Sequence, residues 1–366
     1  MSQLRIVVLG LSITSSWGNG HATNFRALVR ALDGRGHDVL FLERDVPWYA
    51  EHRDLPEPPY GRTTLYGSLE QLRAEHAEAV READLVMVGS YVPEGVDVGR
   101  WVQDSARGVK AFYDIDTPVT LTALGRGQCD YLVPELIGGH DLYLSFTGGP
   151  TLKHLEQVLG SPRARAFYCL VDEKAYAPAD VARPWALGYL GTWSADRQPV
   201  LDELLVEPAR ALDQESFVVA GPQYPADIAW PANVQRIEHL PPAEHAAFYN
   251  AQRLTLNVTR SDMVRAGWSP SVRLFEAAAC GVPVVSDWWE GLATFFTPGT
   301  EILVARSAAE VVQHLGSVDE ERRAQLGAAA RARVLAEHTA EHRAEELEQH
   351  VAQVRRDSAR LPGTRR

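Results

Sequence analysis

Short apolar runs alternate with helix-length amphipathic segments along most of the chain. In the first half the runs are Arg5–Gly10, Asp38–Leu42, Leu85–Gly89, Lys110–Asp114, Asp141–Ser145 and Arg165–Leu170. Helical spacing fills intervals between them, as in His21–Leu32 and Ser68–Ala83. Strands that are apolar on both faces need cover on both faces, so the alternation predicts a parallel sheet between layers of helix. The stretch from Val171 to Pro184 is polar and contains two prolines, which reads as a linker. The alternation then restarts. Ala186–Gly191, Phe217–Gly221, Val234–Ile237, Leu254–Val258 and Val282–Ser286 read as strands, and Pro199–Leu212, Ala243–Ala251 and Pro270–Cys280 as helices. From about residue 307 the chain is mostly helical, ending in a tail, 361–366, that is expected to fray.

This pattern predicts an α/β protein of two doubly wound, Rossmann-like domains facing a central cleft. The expected bounds are 1–175, a linker 176–184, 185–338, and a C-terminal segment 339–366. Ligands of such sheets bind beyond the C-terminal ends of the strands.

Composition narrows the partners. The chain has 366 residues and a net charge of −12. An acidic chain of this kind gives no reason to expect nucleic-acid or anionic-membrane binding, and an anionic small molecule needs a locally basic pocket. The three cysteines form no CxxC pair and read as buried apolar residues in a reducing compartment. No leader pattern and no apolar run of about 18 residues is visible, so the expectation is a cytoplasmic protein without a membrane span.

Four loops carry candidate chemistry. The first, Leu11–Asn24, follows a strand and opens a helix, a place where unpaired N–H groups suit phosphate or sugar oxygens. Gly18-Asn19-Gly20 does not continue as GxGxxG, which weakens a nicotinamide-cofactor reading. His21 is either a general base for an acceptor hydroxyl or a cap of the helix. The second loop, "FYDIDTP", ends a strand with Asp114 and Asp116. The pair could hold a cation, cap the following helix or touch an acceptor; two carboxylates alone make an incomplete metal site, so contact or capping is preferred. The third, "LGTWSADRQP", offers Arg197 to a diphosphate, or leaves it solvated.

The fourth loop runs from "NVTRSDMVR" into "GWSPSVRLFE". It gathers Arg260, Arg265 and Arg273 in a short span. Ser269 or Ser271 can cap the helix and Pro270 suits its first turn. Glu276, one to two turns in, is either an exposed helix glutamate or an acceptor for two adjacent hydroxyls such as a ribose presents.

The segments "LNVTRSDM", "SPSVRLFEAAACGVPVVSD" and "LVDEKAYAP", with "YLGTWSADR" and "FYDIDTP", resemble GT-B fold glycosyltransferases. More narrowly they resemble the spore-maturation-type (CgeB-like) glycosyltransferase-like family. The resemblance implies a sugar-nucleotide site in the second domain, with no bound metal and no cofactor besides the donor itself. Glu276 would hold the ribose, and Ser269, Ser271, Val272 and Arg273 would face the diphosphate. Arg197, Arg260 and the Gly191 loop would assist, and Leu240 would border the base. The first domain would present a small-molecule or glycan acceptor beside Trp17, Gly20 and Asp114. His21 leads and Asp116 follows as base. The C-terminal helix, Glu341–Arg356, would return to brace the first domain. Many retaining relatives carry a second glutamate eight positions before the ribose-binding one; here that position is Trp268. A sugar-nucleotide epimerase and a catalytically degenerate sugar-nucleotide-binding protein are the alternatives on the same fold.

Overall fold

Arg5–Gly10 and Leu85–Gly89, far apart in sequence, become neighbouring central strands because each is apolar at nearly every position. The computed structural model describes residues 3–360. It divides into two units. The first comprises residues 1–168 and 340–366, and the second residues 169–339. The division falls before the expected boundary at 175. The strand read over Arg165–Leu170 lasts only from Ala164 to Ala166, and the chain then leaves the sheet. Val171 instead donates its amide to the His338 carbonyl in the second unit. The tail expected to fray, 361–366, lies outside the described residues.

The first unit holds a seven-stranded parallel sheet. Its strands are β1 (Arg5–Gly10), β2 (Asp38–Arg44), β3 (Arg62–Tyr66), β4 (Leu85–Gly89), β5 (Val109–Asp114), β6 (Leu142–Ser145) and β7 (Ala164–Ala166), in the order β3-β2-β1-β4-β5-β6-β7. β3 was not expected, because only its last residue, Tyr66, is buried. The helix Ala340–Arg360 belongs to this unit and packs along the helix Gly20–Gly34. At that contact Glu348 accepts from Arg35 at 2.6 and 2.8 Å and shares a 2.7 Å hydrogen bond with His37.

The second unit holds a six-stranded parallel sheet of β8 (Trp185–Leu190), β9 (Phe217–Ala220), β10 (Val234–Ile237), β11 (Gln252–Asn257), β12 (Val284–Ser286) and β13 (Leu303–Val304), in the order β10-β9-β8-β11-β12-β13. Each unit has its own apolar core. The helix expected over Pro199–Leu212 contains a π-helical segment, Asp202–Val206. Pro208 explains it: the ring has no N–H to donate back to Leu204, and the wider turn absorbs that missing bond. Cys169 and Cys280 are buried as expected, while Cys129 is only partly so. Among the described residues no helix is long and apolar enough to cross a membrane.

Candidate functional site

Each sheet reverses its strand order once, and chain-order neighbours there depart in opposite directions. A crevice at the C-terminal ends of the strands is the expected result. In the second unit the reversal lies between β8 and β11. The loop leaving β8 begins at Gly191, and a side chain there would meet the Tyr189 hydroxyl at 2.6 Å and Arg273 Nη2 at 2.9 Å. The loop leaving β9 begins at Gly221, with φ of 138°, where a Cβ would lie 2.1 Å from the Gly191 carbonyl oxygen. Gly221 is therefore demanded by close backbone packing and its positive φ, while Gly191 leaves room for the ends of the Tyr189 and Arg273 side chains.

Arg273 is 8% exposed. Its Nε donates to the Leu190 carbonyl at 2.5 Å and its Nη1 to Asn257 Oδ1 at 2.7 Å, with the guanidinium 4.7 Å from the centre of the Tyr189 ring. Asn257, the last residue of β11, also accepts from the Ser271 hydroxyl at 2.7 Å. Its amide donates to Ser286 Oγ at 3.0 Å, and Asp287 beside it accepts from the Thr259 amide and hydroxyl. Burial pushes the Asp287 carboxyl up, partly offset by Thr259 and Ser286. The ends of β8, β11 and β12 are thus tied to the start of the helix Val272–Ala279. Ser271 occupies the N-cap position, but its hydroxyl is spent on Asn257 and caps nothing. Pro270 precedes the helix instead of opening it. The first amides, at Val272 and Arg273, have no intrahelical acceptor.

Arg197 lies beside this helix start. It donates to Ser194 Oγ at 2.9 Å and to the Thr192 carbonyl. Burial holds its guanidinium below the usual range, and the like charges of Arg273 and Arg260 add to that. Arg197, Arg260 and Arg273 therefore form one electrostatic group within an acidic chain. Arg265 does not join them, because it pairs with Asp262 one turn back on its own short helix.

Glu276 is not an exposed helix glutamate; it is 4% exposed. Its Oε2 accepts from the Tyr249 hydroxyl at 3.0 Å. Burial, with the adjacent Glu276 charge, raises the Tyr249 and Tyr176 hydroxyls well above their usual range. Tyr176 shares a 3.3 Å hydrogen bond with His245 Nδ1, whose Nε2 meets the Leu240 carbonyl at 3.2 Å. Ser269 is buried in the loop before the helix.

In the first unit the reversal lies between β1 and β4. The loop leaving β1 is held by Glu43 at the end of β2, which accepts from Ile13 and Thr14 amides at 2.7 and 3.0 Å and from the Thr14 and Ser12 hydroxyls at 2.6 and 3.0 Å. Asp54 fixes the other side through Ser16 and a two-pronged pair with Arg26. Asn19 caps the following helix by accepting from the His21 amide at 2.9 Å. His21 is therefore not the cap. Its ring is 8% exposed overall, with Nε2 3.7 Å from Asp116 Oδ2, Nδ1 buried without a partner, and its edge against Tyr91. Tyr91, at φ of 63°, leaves β4 and packs on Tyr131 at 4.5 Å.

Asp116 stands at the start of the helix Thr117–Gly125 but makes no capping bond. Asp114 corrects an expectation. It is fully buried, accepts from Tyr143 at 2.6 Å and from Thr120 at 2.7 Å, and burial raises its carboxyl to about 6. That enclosure removes it from acceptor contact and from a paired-carboxylate cation site. Trp17 stacks on His52 at 4.5 Å, and Gly20 is exposed at the first position of its helix.

Residues 197–349 match the family described as glycosyl transferase-like. That glycosyl transferase-like region contains the helix Val272–Ala279, Glu276 and all three grouped arginines. No curated protein matches the chain. Solved structures match it over nearly its whole length. Sucrose-phosphate synthase from Thermosynechococcus elongatus is 16% identical with a TM-score of 0.68, covering 96% of this chain and 100% of its own. HepE of Anabaena, in complex with UDP and glucose, is 14% identical with a TM-score of 0.71 over 96% and 100% of the two chains. A Listeria monocytogenes protein described as a UDP-N-acetylglucosamine 2-epimerase is 11% identical with a TM-score of 0.59 over 97% and 98%. These likenesses establish the GT-B fold.

Within the glycosyl transferase-like region, Trp268 follows Gly267 and has φ of 42°. Its amide donates to the Glu290 carbonyl at 2.7 Å, and Gly291 leaves room for the indole, since a Cβ there would fall 2.6 Å from the ring. Asn257, Asp287, Tyr249, Tyr176 and His245 were not singled out by sequence reasoning. Asn257 and Asp287 had a legible signal, as polar residues closing apolar strands. The tyrosines had none, because the bonds of Tyr249 to Glu276 and of Tyr176 to His245 are made only by the folded chain.

Proposed function

We propose that this protein is a glycosyltransferase of the spore-maturation-type (CgeB-like) kind, moving a sugar from a nucleoside-diphosphate sugar to a hydroxyl-bearing small molecule or glycan. The observation that carries the reading is Arg273, held between the ends of β8 and β11 at the strand-order reversal of the second unit, on the helix that carries Glu276 and within electrostatic reach of Arg197. Departure of a nucleoside diphosphate develops negative charge. Guanidinium groups and free helix-start amides held by the fold stabilise that charge without a metal and without reorganising during the step. Ser269, Ser271 and Val272 line the same turn. Gly191 lets the backbone approach, and Leu240 borders the base.

His21 and Asp116 are the acceptor-activating groups of this reading, with Trp17 and Gly20 beside them. The Nε2 to Oδ2 separation of 3.7 Å is too long for a direct bond. An acceptor hydroxyl bound there would give its proton to His21 Nε2, and the Asp116 carboxylate beside that nitrogen would favour the imidazolium that forms. Calorimetric titration with UDP, GDP and dTDP tests the donor half. Binding of at least one supports the reading, and silence from all of them overturns it. HepE is a UDP complex, which makes UDP the first nucleotide to try.

Epimerisation is the second reading, favoured by the fold likeness to the Listeria protein. Incubating donor sugars without acceptor separates the two, because only an epimerase returns an isomerised sugar nucleotide or free isomerised sugar.

A further inference from the structure

The carboxylate that would read the ribose is itself held by another side chain. Tyr249 donates to Glu276 Oε2 at 3.0 Å from the helix Pro242–Asn250, and the Tyr176 ring lies 6.4 Å from the Tyr249 ring. Both tyrosines are buried. Behind Tyr176 stands His245, bonded on its other nitrogen to the carbonyl of Leu240.

We propose that Tyr249 is a positioning residue that aims Glu276 at the ribose, so that the enzyme discriminates ribose from 2′-deoxyribose nucleotides through it. The proposal rests on the donor-site reading. An ionised carboxylate has about four lone-pair directions. The Tyr249 phenol takes part of that capacity and fixes the rotamer, leaving the remainder directed at a neighbouring pair of hydroxyls. A carboxylate freed of that donor keeps its charge but loses its aim.

The test uses the full chain and calorimetry with two pairs of probes, UDP with 2′-deoxy-UDP and GDP with 2′-deoxy-GDP. In the wild type, the ribo form of whichever base is accepted binds more tightly. In Tyr249→Phe, which keeps the ring and removes the donor, affinity for the ribo form falls about tenfold while the deoxy form changes little. A merely structural role would lower the melting temperature or weaken both forms together, leaving the ratio intact. An unchanged ratio in Tyr249→Phe overturns the positioning role while sparing the donor reading. Should Tyr249→Phe fail to fold, Tyr249→Met, which also lacks the donor, decides. A wild type that binds none of the four nucleotides, with dTDP silent as well, overturns the donor reading itself.

Discussion

His21 and Glu276 divide the proposed reaction between proton transfer and donor binding, and each can be removed separately. His21→Ala should lower kcat about 10²–10⁴-fold, the usual worth of a positioned base, while UDP affinity from calorimetry stays at the wild-type value. Glu276→Ala should weaken nucleotide binding by tenfold or more. Asp114 makes a different prediction. Burial raises it to about 6 from an ordinary 3.8, so the folded chain keeps a proton that the unfolded chain gives up earlier. The stability this supplies is fully present below about pH 4 and is lost as pH rises through 6. Asp114→Asn cannot titrate, so it should gain on the wild type by about 2 kcal/mol between pH 4 and pH 7. Denaturant melts at the two pH values measure this; a constant difference would contradict it. The placement of Arg273 and Glu276 on a helix, and of His21 near the start of one, was legible from the spacing of apolar positions. Burial was not. Whether Asp114 or Asp116 faces outward depends on Tyr143 and Thr120, which meet Asp114 only in three dimensions.

The elements that position the second-unit site depend on close backbone contact. Gly221→Ala places a methyl 2.1 Å from the Gly191 carbonyl oxygen at a φ of 138°. The loop beside Arg273 must then shift. The expected outcome is loss of nucleotide affinity together with destabilisation of about 1–3 kcal/mol, read by calorimetry and by thermal melts. The helix Ala340–Arg360 is tied to the first unit through Glu348, 4% exposed, which Arg35, aided by His37, holds down to about 2. Glu348→Ala leaves the Arg35 and His37 side without its anion and should cost about 3 kcal/mol at pH 7. Because the folded value is depressed, this stability is present above about 4.5 and declines as pH falls toward 2. The two melting curves should converge in acid. Strand and helix existence was readable here from apolar runs and their spacing. β3 escaped because it is mostly half-exposed, and the π segment before Pro208 has no signature in periodicity. The return of the last helix to the first unit came from family resemblance, since no pattern within residues 340–360 says what they pack against.

At the scale of the molecule, two parallel sheets each reverse strand order once, and the candidate groups of each unit stand at its reversal. That placement was readable in outline, because Rossmann-like alternation implies sites at strand C-termini. The boundary was less readable, since the polar stretch taken for a linker follows the division at 168/169. A donor bound only by the folded chain must also stabilise it. UDP at a hundredfold excess over its Kd should add about 2.7 kcal/mol, visible as a raised melting temperature. The most direct measurement is calorimetric titration of UDP into the wild type and into the Glu276→Ala and Arg273→Ala variants. The account predicts saturable binding to the wild type and at least a tenfold loss in both variants. Equal affinity in all three proteins, or no nucleotide binding to the wild type with GDP and dTDP also silent, would contradict it.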